Sequence, residues 1–94
     1  LAKKRNRKMI QAMRKPYCEY CGRAAYGEPH HIFTRGAGGQ DIPENLIQLC
    51  GGCHVEVHAG HIDRDKLLEL VAVRQGLEYD EVYRINRRAM GYNV

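Results

Sequence analysis

No run of about 18 consecutive apolar residues occurs in this chain, so no segment qualifies as a membrane-spanning helix. Nothing in it reads as a secretory signal, and four cysteines are too few for the disulfide scaffold of a small secreted protein. The expectation is therefore a soluble, cytoplasmic protein. Low-complexity segments are lacking, and the sole internal repeat is a pair of C-x-x-C knuckles. Length is limited as well: 94 residues make a single domain, 1–94. A chain of this size buries only about 60–70% of the surface it exposes when unfolded, so a further staple is expected. Acidic residues are missing from the first fifteen positions, which hold Lys3, Lys4, Arg5, Arg7, Lys8, Arg14 and Lys15. The remainder carries eight basic against eleven acidic groups, so the positive charge behind the net +4 sits on a basic arm, residues 1–16. Such an arm suits a phosphate-rich partner.

Met9, Ile10 and Met13 lie at helical spacing among these charges, and Pro16 follows, which predicts a short helix within residues 5–15. Residues 17–22 read as a turn. The segments PHHIF and NLIQLC read as strands, separated by a glycine- and proline-rich loop over residues 34–44. HVEVHA, after Cys53, allows about two helical turns before Gly60. The extension 61–94 predicts two helices. Asp63 caps the first, which runs to Gln75 with Leu67, Leu70, Val71 and Val73 as its apolar face. The second spans 79–90 with Val82, Ile85 and Ala89 inward.

Cysteines fall at Cys18-Glu-Tyr-Cys21 and Cys50-Gly-Gly-Cys53, the spacing at which two thiolates grip one ion from a tight turn. Together they make a closed, soft, tetrahedral donor set suited to structural zinc. Structural disulfides are the rival reading, disfavoured because C-x-x-C neighbours rarely form structural bridges. All five histidines fall between His30 and His61. His54 and His58 are four apart, so a helix presents both on one face toward one ion. A third ligand from the adjoining strand, His30 or His31, would leave coordination positions open, as catalytic metal sites require. Adjacent strand residues point to opposite faces, so these two histidines are not expected to share a job. One ligates the ion; the other faces a groove, where a neutral imidazole accepts a proton.

The order Cys-x-x-Cys, His-His-Ile, Asn, Cys-x-x-Cys-His-x-x-x-His closely resembles the HNH endonucleases of the ββα-metal type over residues 17–60. The resemblance implies an α+β fold: a small ββα-metal core stapled by a four-cysteine zinc site, flanked by an N-terminal basic helix and two C-terminal helices. It implies that His31 is the general base, Asn45 an orienting residue, and His30, His54 and His58 the ligands of one catalytic divalent ion. Cys18, Cys21, Cys50 and Cys53 match the zinc knuckle. With no carboxylate among the three histidine ligands, Ni2+, Co2+ or Zn2+ compete with Mg2+ and Mn2+. The implied activity is metal-dependent cutting or nicking of DNA. Phosphate contacts dominate in that family, so sequence preference is expected to be low unless a protein partner supplies it.

A backbone carbonyl accepting from His31 is the expected selector of its tautomer. Lys3, Lys4, Arg5, Arg7, Lys8 and Arg35, the last beside Gly36, Gly38 and Gly39, are the candidate DNA contacts. Tyr17, Tyr20 and Tyr26 read as packing residues, His61 as a surface residue, and Arg84, Arg87 and Arg88 as a solvated face. The competing functions are a non-catalytic zinc module that binds nucleic acid, and a nuclease directed at RNA.

Overall fold

The computed structural model describes residues 5–94; Lys3 and Lys4 lie outside the described residues. Helix α1 spans Arg7–Ala12, with the Asn6 side chain accepting the Met9 amide at 3.1 Å. It is shorter than the residues 5–15 allowed. Only Ile10 is fully buried, and it fastens the helix to the body. The chain then turns into the first knuckle, where Tyr17 and Ala24 form an isolated antiparallel bridge.

Strands β1 (His30–His31) and β2 (Leu46–Ile47) pair antiparallel, His30 opposite Ile47 and His31 opposite Leu46. Both contract to two residues, because other groups take over the ladder at each end. Past His31, the Ile32 amide donates to the Asn45 carbonyl at 2.9 Å. The Asn45 side chain then captures both main-chain groups of Phe33. Past Ile47, the Gln48 amide and carbonyl bond the Glu19 carboxylate and amide of the knuckle. Backbone groups that leave a sheet must find partners elsewhere, and here side chains provide several of them.

The intervening loop is more ordered than its composition predicts, with 3-10 turns at Arg35–Ala37 and Pro43–Asn45. Between them the backbone at Gly39 runs against the end of β1. A Cβ at Gly39 would stand 1.8 Å from the Phe33 carbonyl oxygen and 2.9 Å from that of Thr34. Gly39→Ala should therefore cost at least the roughly 1–3 kcal/mol typical of overpacking. A thermal melt that does not shift downward would show that the loop simply moves aside.

Helix α2 (Gly51–His58) starts earlier than the sequence predicts, because Cys50 is itself the cap: its sulfur accepts the Cys53 amide at 3.4 Å. Helices α3 (Arg64–Gln75) and α4 (Tyr79–Ala89) pack on each other and on the Pro43–Asn45 turn. The buried stripe of α3 is Leu67, Leu68, Val71 and Ala72. Val73, expected inside, is 81% exposed, because two helical steps carry it about 200° from Val71. Val82 and Asn86 face inward from α4. This is a small α+β unit with a two-stranded sheet, in which β1 and α2 form the walls of one cleft. No described helix is long and apolar enough to cross a membrane.

Candidate active site

The two knuckles bring the sulfurs of Cys18, Cys21, Cys50 and Cys53 within 4.8 Å of one another, and none forms a disulfide. Cys21 and Cys50 sulfurs are 3.6 Å apart. Burial opposes a thiolate at Cys18, but amide donors around it and the Cys21 thiol outweigh that and hold its pKa at about 6. The Cys53 amide lowers Cys50, whereas burial and the neighbouring sulfurs push Cys53 upward. Four crowded sulfurs, some favouring the anion and one resisting it, are the donor set that a soft dication satisfies. The cluster fits zinc, and the main-chain donors to sulfur fix its shape.

The second cluster lies between β1 and α2, in a cleft that Cys50 also lines. β1 presents His30 toward α2, whose successive turns present His54 and His58, and the ring nitrogens of all three fall within 4.8 Å. The Nε2 atoms of His54 and His58 are 3.3 Å apart, and the His30 ring meets that of His54 edge-on with centroids 5.3 Å apart. Burial first, then the neighbouring imidazoles, lowers the pKa of His30 to about 4. It is thus held neutral, the form in which imidazole binds metal. His30 is half-buried while His54 and His58 are exposed, so the set closes on one side and opens to solvent on the other. Three imidazoles on an open cleft fit a catalytic divalent ion.

His31 points away from that cluster. Its Nε2 lies 2.6 Å from Oδ1 of Asp41, a carboxylate only 3% exposed. The expected backbone carbonyl is not the selector; a side chain from the loop occupies that place. Asp41 also accepts from Nη1 of Arg35, at 2.9 and 3.0 Å, and from the Asn6 main-chain amide at 2.7 Å. Burial would raise its pKa, but the bonds from His31, Asn6 and Arg35 and the guanidinium charge hold it below the usual carboxylate value. Asn45, fully buried, accepts the Phe33 amide at 2.7 Å and donates to the carbonyls of Phe33 and Gln40 at 3.0 Å each. It stitches the end of β1 to the loop that carries Asp41.

A cleft of about 460 Å³ is lined by His30, His31, His54 and His58, with Arg35 and Glu28 at its walls. Arg5 bonds Glu28 at 2.8 Å, which brings the basic arm to the cleft. Arg7 and Lys8 stand exposed on α1. Tyr17, Tyr20 and Tyr26 are not core residues: they are 48%, 41% and 86% exposed, and Tyr26 lines the cleft. His61 pairs with Glu56 on the surface, away from both clusters. Arg87 is not purely solvated, since its guanidinium lies 3.9 Å over the Tyr92 ring. Asp41 is the site residue that sequence reasoning missed. Its signal is faint: an acid ten positions after a histidine, in a loop where Asp is ordinary turn chemistry.

One cluster thus joins the two knuckles, and the other joins β1 to α2. Residues 18–60 match the HNH endonuclease family. The matched segment runs from the first knuckle through α2 and contains every cysteine and the three converging histidines. A relative, the Type IV methyl-directed restriction enzyme EcoKMcrA of Escherichia coli (strain K12), is 34% identical over 68 residues, covering 63% of this chain and 24% of the relative. The chain therefore spans about a quarter of that protein's length. No solved structure matches.

Proposed function

We propose that the chain is a metal-dependent endonuclease that hydrolyses DNA phosphodiester bonds, with His31 as general base and His30, His54 and His58 as the ligands of one divalent ion. The observation that carries this reading is the split between neighbouring histidines. His30 turns to His54 and His58, while His31 lines the same cleft with its Nε2 already engaged by Asp41. Nε2–H donated to the carboxylate leaves Nδ1 of His31 free to take a proton from water. An ion held by the three imidazoles would supply Lewis-acid stabilisation of charge on the phosphate and on the leaving oxygen. Arg35, at the cleft wall, adds a cationic group within reach of phosphate oxygens. Asn45 touches no substrate in this scheme; it keeps Phe33, and with it β1, at a fixed height over the loop.

The relative is named a methyl-directed restriction enzyme, which agrees with this chemistry. The test is relaxation of supercoiled plasmid by metal-stripped protein after adding back magnesium, manganese, nickel, cobalt or zinc. Nicking that returns with an ion and leaves 5′-phosphate ends is the expected result. DNA binding without nicking under every ion would replace the proposal with a non-catalytic zinc module, and cyclic phosphate ends on RNA would point to a different nucleophile.

The basic arm should act through charge. Replacing Lys3, Lys4, Arg5, Arg7 and Lys8 with alanine is expected to weaken binding to every DNA sequence alike and to flatten the dependence of affinity on salt. The log–log slope should fall by about 0.9 for each phosphate that is no longer neutralised. An unchanged slope would show that these charges do not meet phosphate.

A further inference from the structure

We infer that Asp41 is a positioning residue for His31, and that the N-terminal segment, through the Asn6 main-chain amide, joins Arg35 in holding Asp41 in place. The inference rests on the reading of His31 as general base. Every bond around the carboxylate has a direction. Oδ1 receives His31 Nε2 and Arg35 Nη1; Oδ2 receives the Asn6 amide and the same Arg35 nitrogen. A carboxylate only accepts, so it compels His31 to carry its proton on Nε2 and to present Nδ1 bare. Asn6 lies 35 positions away in the chain and is seated by the burial of Ile10, so docking of α1 reaches the imidazole through a single side chain. A loop acid beside a histidine would be ordinary if exposed. At 3% exposure, with both oxygens engaged, it is built in.

Asp41→Asn isolates the effect because it preserves shape. The Asn6 amide can only donate, so the new side chain must turn its oxygen toward Asn6 and its NH2 toward His31. Nε2 must then accept, and the ring proton moves to Nδ1, where a base must be empty. Arg35, 38% exposed, can swing to solvent. The expected kinetic result is a kcat lower by about 10²–10⁴-fold, with KM for plasmid and bound-metal stoichiometry unchanged. Asp41→Glu, which restores the charge on a longer stem, should recover part of the rate.

The deciding measurement is the ring ¹⁵N spectrum of His31 at a pH well above the imidazole range, in the full chain loaded with zinc. The wild type should show a protonated Nε2 and a bare Nδ1, and Asp41→Asn should reverse them. A wild-type spectrum with the proton on Nδ1, or an Asp41→Asn variant with unaltered ring shifts, would overturn the inference. If the variant does not fold, the wild-type spectrum still decides. If the chain does not nick DNA, the spectrum still reports whether Asp41 holds His31, so loss of the nuclease reading and loss of this one are told apart.

Discussion

His31→Ala should abolish metal-dependent nicking, lowering the rate by about 10²–10⁴-fold, the usual contribution of a positioned general base. The folded state should survive, because the imidazole is not a core group: its side chain is 15% exposed and lines the cleft. Removing it leaves Asp41 still satisfied by Arg35 and the Asn6 amide, so no buried charge is stranded. The knuckle is untouched, and zinc content should match the wild type. His30, His54 and His58 also remain, so metal added back should still bind at the cleft. A variant that folds, binds both ions and still nicks at the wild-type rate would remove His31 from the mechanism. Loss of the catalytic ion together with activity would instead make His31 a ligand.

Cys50→Ser is the second large effect, expected on stability. Cys50 is both a knuckle sulfur and the residue that caps α2. Serine is a good helix cap, so the substitution spares that function and tests the metal alone. Structural zinc in small domains contributes apparent binding free energies of about 10–16 kcal/mol, while whole domains have net stabilities of about 5–15 kcal/mol. Weakening a four-sulfur site in a chain this small should therefore unfold it or lower its melting temperature sharply, with zinc lost from the protein. Melting unchanged at full zinc content would show that the cluster is dispensable. The consequence extends to the cleft. Cys50 and Cys53 hold the first turn of α2, and the following turns carry His54 and His58. The histidine cluster should disperse when the knuckle opens, and activity should vanish with the fold.

How much of this is legible in the sequence depends on whether a feature leaves a local spacing. The cysteine cluster is legible because scarce residues recur at C-x-x-C intervals, and His54 with His58 because four residues make about one helical turn. The division between His30 and His31 follows from strand alternation. Features made by distant partners are not legible. Asp41 reaches His31 across a folded loop, and the Asn6 amide reaches Asp41 from the far side of the first knuckle. The strands read longer than they are because the apolar runs continue past the pairing; Asn45 and Glu19, not a neighbouring strand, take up the main chain there. The tyrosines mislead in the opposite sense, since aromatic residues near a knuckle suggest packing and these three stand exposed.

The Arg74 side chain has a bearing on modularity. From α3, outside residues 18–60, it donates to both oxygens of Glu19 at 2.8 and 3.1 Å and to the Pro43 carbonyl at 2.6 Å. Glu19 sits between the first two cysteines, and Pro43 opens the turn that ends in Asn45. One guanidinium thus spans the first knuckle and the turn that ends in Asn45. A transplant limited to residues 18–60 would carry every cysteine and the three converging histidines but leave Glu19 without this guanidinium and the turn without its brace. The smallest portable unit for protein engineering therefore includes α3, and a chimera that keeps α3 should outperform one cut at Gly60.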